Sequence, residues 1–250
     1  MFTAGGLIAG AIAALFIGVA KTGLPGSGLV AIPLIALVVD GRLIPGATLP
    51  LLLAADLFAV AWYRRHTRWD LLRPLGVFIG VGYAVGIAFF VSLGSATEEL
   101  ERSIGLILLV IIVLQLWRTY RSGQPLEGRA AAFAYGTSGG FTTFVANAAG
   151  PVINTYLASL RLPKEEFLGT TAWLYFVVNL SKIPFYVALG AWTDGGSFFT
   201  DETLAWNGLL IPAVVAGVYA GRAVYSRVPQ RAFLLAVLGL SAAGALVLVL

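Results

Sequence analysis

RAAAFAYGTSGGFTTFVANAAGPVINTYLASLR, residues Arg129–Arg161, decides the fold. It reads as an apolar arm (Ala130–Ala146), a break rich in small residues (Asn147–Pro151) and a short apolar arm (Val152–Leu160), with a basic residue at each end. Arginine and lysine gather in the cytoplasmic loops of membrane proteins. A segment that starts and ends beside such loops enters the bilayer and returns by the same face, so this one is predicted to be a re-entrant hairpin. Irregular backbone survives at membrane depth only where protein or a water-filled cavity satisfies its N–H and C=O groups. The break is therefore where a cavity is expected.

The surrounding sequence supports a membrane setting. Of 250 residues, 59% are hydrophobic and 11% charged, against about a quarter charged in an ordinary soluble domain. Stretches near the roughly 20 apolar residues that a span needs lie at Ala47–Tyr63, Leu71–Leu93, Leu100–Trp117, Phe167–Gly190, Leu204–Tyr225 and Ala232–Leu250. The fold class is an all-α integral membrane protein with a single membrane domain. Twelve of the 16 basic residues fall in four loops, around Arg64–Arg73, Arg118–Arg129, Arg161–Lys164 and Arg222–Arg231, which are predicted to be cytoplasmic. The intervening loops carry Asp40, Glu98, Glu99, Glu101, Asp194, Asp201 and Glu202, with Arg42 and Arg102 their only basic residues.

The N-terminal part has the same plan. Thr3–Ala20 is apolar, KTGLPGSG (Lys21–Gly28) interrupts it, and Leu29–Val39 is a short apolar arm. Eleven residues of helix rise about 16 Å, too little to cross alone. Because the next span must end in the basic loop at Arg64, this first element delivers the chain to the outer face at Asp40–Gly46. It is predicted to be a second hairpin, opening on the opposite face, with both termini outside. The alternative is that Thr3–Ala20 crosses fully from the cytoplasm and Leu29–Val39 lies along the outer surface. The hairpin reading treats both halves alike. It gives two inverted repeats, residues 1–117 and 130–250, joined by a cytoplasmic linker at 118–129, each a broken helical hairpin followed by three transmembrane helices, the plan of many secondary transporters. LAADLFAVAWY (Leu53–Tyr63) lies over FVVNLSKIPFY (Phe176–Tyr186) without a gap, which puts Asp56 on Asn179 and Tyr63 on Tyr186.

Helix starts after the two breaks present free N–H groups and a positive dipole end, which favour an anion. Backbone donors at Gly26–Gly28 and Ala148–Gly150 are candidates, with Ser27, Thr22, Thr142, Thr143 and the amide of Asn147 nearby. The same small residues would also suit close helix packing, and the hydroxyls could bond their own helix backbone. Ionisable residues inside apolar runs are costly and point to function. Lys21 opens the first break, as an anion ligand or as a snorkelling side chain. Asp56 sits mid-span, as a gating or proton-coupling group or as the partner of Lys21 or Lys182. Lys182, close to Pro184, is a substrate or gate residue or the partner of Asp56, and Asn179 a substrate ligand or an interhelical link.

GVAKTGLPGSGLVAIPLIAL (Gly18–Leu37), GTSGGFTTFVANAAGPVINTYL (Gly136–Leu157) and FLGTTAWLYFVVNLSKIPFYVALG (Phe167–Gly190) together resemble the TauE/SafE sulfite exporter family, in order and over most of the chain. The motif is carried by Lys21, Gly23, Pro25, Gly26, Gly28, Asn147, Gly150 and Pro151, with Asn179 and Lys182. The family's first break is often richer in consecutive glycines, where here Pro25 and Ser27 interrupt the run. The resemblance implies transport of a small sulfur-containing anion such as sulfite or a sulfonate, usually as export across the inner (plasma) membrane.

Other classes find less in the residues. There is no cysteine, so no thiolate metal site or cysteine nucleophile, and no zinc, phosphate-loop or cofactor motif. Ser138 lies in a TSGG, but the only histidine, His66, falls in a basic loop, which removes the base a serine enzyme needs at membrane depth. The expected partners are a small anion, the lipid bilayer and a candidate coupling proton, with no nucleic acid. A passive anion channel, or an importer of a non-sulfur organic anion, shares the same features.

Overall fold

The computed structural model describes residues 1–24, 27–93, 97–120, 128–192, 196–224 and 246. Pro25, Gly26, most of the linker and all but one residue of the span expected at Ala232–Leu250 lie outside the described residues. The elements are α1 (Ala4–Thr22), a 3-10 turn (Ser27–Val30) running into α2 (Ala31–Ala36), α3 (Ile44–Tyr63), α4 (Trp69–Leu93), α5 (Thr97–Tyr120), α6 (Arg129–Ala146), α7 (Ala149–Ser159), α8 (Lys164–Trp192) and α9 (Asp201–Val224). Among the described residues five helices, beginning at or near the starts of α1, α3, α4, α8 and α9, are long and apolar enough to cross a bilayer. The chain is an all-α membrane protein. Several helices start a turn before the apolar run does, because acidic residues open them: Asp70 in α4, Glu98 and Glu99 in α5, Glu165 and Glu166 in α8, Asp201 and Glu202 in α9. A carboxylate in the first turn complements the helix dipole, so helix continues where hydropathy has stopped.

Two pairs of parallel helices make the closest contacts. In α1 and α9, Gly10 lies against Trp206, Gly18 against Val214 and Val218, and Gly23 against Gly221. In α4 and α6, Gly136 lies against Leu75 and Phe78, Gly140 against Ile79, Gly82 against Thr137 and Phe141, and Gly86 against Phe144. Lipid tails are as apolar as leucine, so association rests on close backbone approach, which glycine permits. On the far side of α4, Val77, Val81 and Val85 are exposed, one turn apart, as a lipid-facing stripe.

These pairings define two ends of the molecule. One gathers Met1, Arg42, Gly46 and Asp201: Gly46 packs on Phe198, and Arg42 donates to the Gly196 carbonyl at 3.3 Å. The other gathers Tyr63–Arg68, Trp69, Gly169 and Arg222. There Arg68 bonds Asp70 at 2.7 Å and Glu166 at 3.1 Å, and those two carboxylates hold its guanidinium pKa above the usual value. The two are called the acidic and basic ends below.

Both broken elements return to the end they start from, but they reach deeper than hairpins that turn at mid-depth. With 19 residues α1 spans about 28 Å, and its last turn lies beside Gly221 and within 3.5 Å of the Tyr63 hydroxyl, at the basic end. The 18-residue α6 runs the other way. Its final cap, Asn147, donates to the Pro45 carbonyl at 2.9 Å, near the acidic start of α3. The alternative of Leu29–Val39 lying along a surface does not describe the return arm, since Ile32 and Ile35 are buried in the core and Ser27 donates back to the Phe16 carbonyl at 3.4 Å. The helix outlasts the apolar run because Thr22 satisfies its hydroxyl on the Val218 carbonyl at 2.7 Å.

A Cβ added at Gly82 would run into the Thr137 carbonyl, whereas at Gly80, two residues back and on nearly the opposite face of the helix, it meets open space. Gly82→Ala is expected to cost about 1–3 kcal/mol through overpacking and to lower the thermal unfolding midpoint in detergent. Gly80→Ala should leave the midpoint unchanged or slightly raised.

Candidate anion site

Lys21 stands in the last turn of α1, where a lysine also suits the negative dipole end. Its ammonium meets Asp56 Oδ1, in the middle of α3, at 2.7 Å. Asn179 of α8 donates from Nδ2 to Asp56 Oδ2 at 2.6 Å. Asp56 is completely buried, so these two groups replace water for both of its oxygens. Lys21 also lies 4.3 Å from the centroid of the Tyr175 ring, within range of a cation–π contact.

Lys182, three residues on from Asn179, is completely buried as well. An ammonium has three donors and no acceptor. Lys182 Nζ finds three acceptors: the Thr143 carbonyl at 3.3 Å, the Thr143 hydroxyl at 3.1 Å and the Asn147 side-chain oxygen. Among the described residues no carboxylate pairs with it, and of the two lysines expected as partners of Asp56 it is Lys21 that pairs. Asn147 serves three purposes at once. Its φ of 52° turns the chain out of α6 in the left-handed region that asparagine tolerates. Its Nδ2 anchors to Pro45, and its oxygen holds Lys182.

Between these groups lies a cavity of about 630 Å³, open mouth included. Lys21, Gly28, Asn147, Gly150 and Asn179 line it, with Thr143. The return arms of the two hairpins thus face the same space, although the tips themselves sit towards opposite ends. Asp56 and Lys182 stand one layer behind the wall, Asp56 behind Lys21 and Asn179, Lys182 behind Thr143 and Asn147. A Cβ at Gly150 would have its nearest neighbour at 3.8 Å, and one at Gly28 at 3.4 Å, so each glycine leaves room at the wall.

A sequence model of the sulfite exporter TauE/SafE family matches residues 7–248. The chain belongs to the sulfite exporter TauE/SafE family. It is therefore a member of a transporter family, in keeping with a membrane domain that holds its charged groups around a central cavity. No curated protein and no solved structure gave a match.

Within this TauE/SafE member some predicted residues stand apart from the cavity. The Ser27 hydroxyl turns to the Phe16 carbonyl, Thr22 to Val218, and Thr142 to the Gly139 carbonyl at 3.3 Å. Gly26 lies outside the described residues. Among the lining residues not singled out from sequence are Asn154 on α7 and Tyr175 on α8, whose hydroxyl donates to Asn154 Oδ1 at 2.6 Å. Each lies four positions from a residue that was, Asn154 after Gly150 and Tyr175 before Asn179. Helical spacing puts such pairs on one face, and that was the available signal.

Removing one partner of a buried ion pair costs about 3–5 kcal/mol, while replacing both by apolar residues is often neutral. Asp56→Leu alone, which removes both acceptor oxygens, is expected to lower the folded yield in detergent sharply. The double variant Lys21→Met with Asp56→Leu should restore folded yield in detergent, but with no recovery of transport.

Proposed function

We propose that this TauE/SafE family member is a secondary transporter that exports a small sulfur-containing anion, sulfite, a sulfonate or a related organosulfur compound, across the inner (plasma) membrane. The observation that carries the reading is the unequal charge around the cavity: among the described residues, two lysines, Lys21 and Lys182, against a single carboxylate, Asp56. An excess of cationic side chains over carboxylates in a low-dielectric setting attracts a small anion. Asn147, Asn179 and Thr143 supply polar groups at the wall, and the backbone of Gly150 and Gly28 is bare enough for close approach.

The transport cycle proposed is alternating access by two inverted repeats, residues 1–117 and 130–250, with linker 118–129 and the basic end in the cytoplasm. Three pairings support the repeat. The first helix of each half packs in parallel on the fourth of the other, α1 on α9 and α6 on α4. Asp56 and Asn179, equivalent by alignment, touch each other. Tyr63 donates to the Thr22 carbonyl and its equivalent Tyr186 to the Phe144 carbonyl, and both acceptors lie six residues before the glycine of the break, Gly28 or Gly150. Asp56 acts as an exchangeable counter-ion. An anion on Lys21 displaces the carboxylate, and a proton on Asp56 then keeps the charge of the site constant.

The test is uptake of radiolabelled sulfite, a C2 sulfonate and sulfate into proteoliposomes. Sulfite or sulfonate flux should saturate, and Lys21→Ala and Lys182→Ala should each lower it roughly 10- to 100-fold, the range for losing a charged hydrogen-bond partner. Sulfonate binding should strengthen as pH falls in the wild type and lose that dependence in Asp56→Asn. Unselective flux, unitary currents or two fully active lysine variants would overturn the proposal.

A further inference from the structure

A second, smaller cavity lies towards the basic end, about 290 Å³ with its open mouth included. Ala59, Leu168, Thr171 and Ala172 line it, from the last turns of α3 and the first turns of α8. It shares four wall residues with the central cavity: Ala20, Lys21, Asn154 and Tyr175. The two spaces therefore adjoin along a shared wall, and Tyr175 is the largest residue in it.

The shared wall is latched rather than merely packed. The Tyr175 hydroxyl bonds Asn154 on α7, and the Tyr175 ring carries the Lys21 ammonium of α1 on one face. A single side chain of α8 is thus tied to the return arm of one hairpin and to the first arm of the other. Asn154 and Tyr175 have Ile32 and Leu52 as their equivalents in the first half, four positions from Gly28 and Asp56. Both of those are apolar and also line the central cavity. The hydrogen-bonded latch therefore exists on the basic-end side alone among these two equivalent positions.

We infer that Tyr175, held by Asn154 and by Lys21, is the gate between the central cavity and the basic end, and that its release joins the two cavities into one pathway. The inference rests on the transport reading above for its purpose, but not for its geometry. Lys21 couples the two: an anion that draws the ammonium away from Asp56 also changes its hold on the Tyr175 ring, so occupancy of the site is felt at the gate. Opening needs a side-chain rotation of Tyr175 with loss of one hydrogen bond and of the ring's contact with the Lys21 ammonium. The latch is therefore a small barrier that local motion can cross.

The chain has no cysteine, so a single introduced thiol reports access without background. Leu52→Cys places one in the central cavity only, and Thr171→Cys one in the basic-end cavity only. Membrane vesicles are oriented by the side from which His66→Cys, exposed at the basic end, is labelled. From that side, small impermeant methanethiosulfonates of either charge are expected to label Leu52→Cys roughly three- to tenfold faster once Tyr175→Phe or Asn154→Ala is added, as loss of one ordinary hydrogen bond allows. The rate at Thr171→Cys should not change, which separates gating from general loosening. Equal rates at Leu52→Cys with and without both latch variants, or a parallel rise at Thr171→Cys, would overturn the gate. A faster rate with both reagents, combined with no slowing by added sulfite, would uphold the gate and count against the anion reading of the cavity.

Discussion

The ion pair between Lys21 and Asp56 is the constraint on which the interior depends. It joins α1 to α3, and through Asn179 it joins both to α8. Buried pairs of this kind contribute little stability, because desolvating the two ions offsets their attraction. Apolar residues would pack the same space at no such cost. On the proposed transport reading the pair makes physical sense as a device: a lysine held inside the bilayer by a carboxylate whose place a substrate anion takes.

Lys182 makes the arrangement asymmetric. Of the two contacts that relate the halves, α1 with α3 holds a lysine on the first helix, and α6 with α8 holds one on the long helix, where Lys182 bonds Thr143. Thr143 stands at the position equivalent to Lys21, counted back from the glycine of each break. The two ammonium groups thus come from different helices, Lys21 from α1 and Lys182 from α8, and among the described residues only Lys21 pairs with a carboxylate. The aromatic residues follow the same logic. Tyr63 and Tyr186 pin corresponding carbonyls near the ends of α1 and α6, which fixes where each chain turns back.

Much of this was legible in the sequence, for reasons that can be named. Basic residues on both flanks of Ala130–Leu160 required the chain to return to its own side, and α6 and α7 do so, with Tyr135 stacked on Tyr156 beside the common end. Lys21, Asp56, Asn179 and Lys182 were visible because polar atoms in an apolar run need partners. The depth of the turns was not visible. Lys21 and Thr22 looked like the start of a break, yet they remain helical because Asp56 and the Val218 carbonyl, far away in sequence, satisfy them. Ser27 drew notice because it lies beside the helix start after the break, and its hydroxyl donates to the Phe16 carbonyl. Tyr175 carried no signal of its own, since an aromatic residue in a membrane helix is ordinary until Asn154 and Lys21 are seen against it.

The central claim is that an anion sits between the return arms of the two hairpins. Crystals grown with selenite, the heavier analogue of sulfite, and measured at the selenium absorption edge would locate it directly in a chain whose own methionine can be left unlabelled. The account predicts an anomalous peak inside the central cavity, within hydrogen-bond reach of Lys21, Asn147 or Asn179. A peak confined to the arginine-rich basic end, with the cavity empty at saturating selenite, would contradict it.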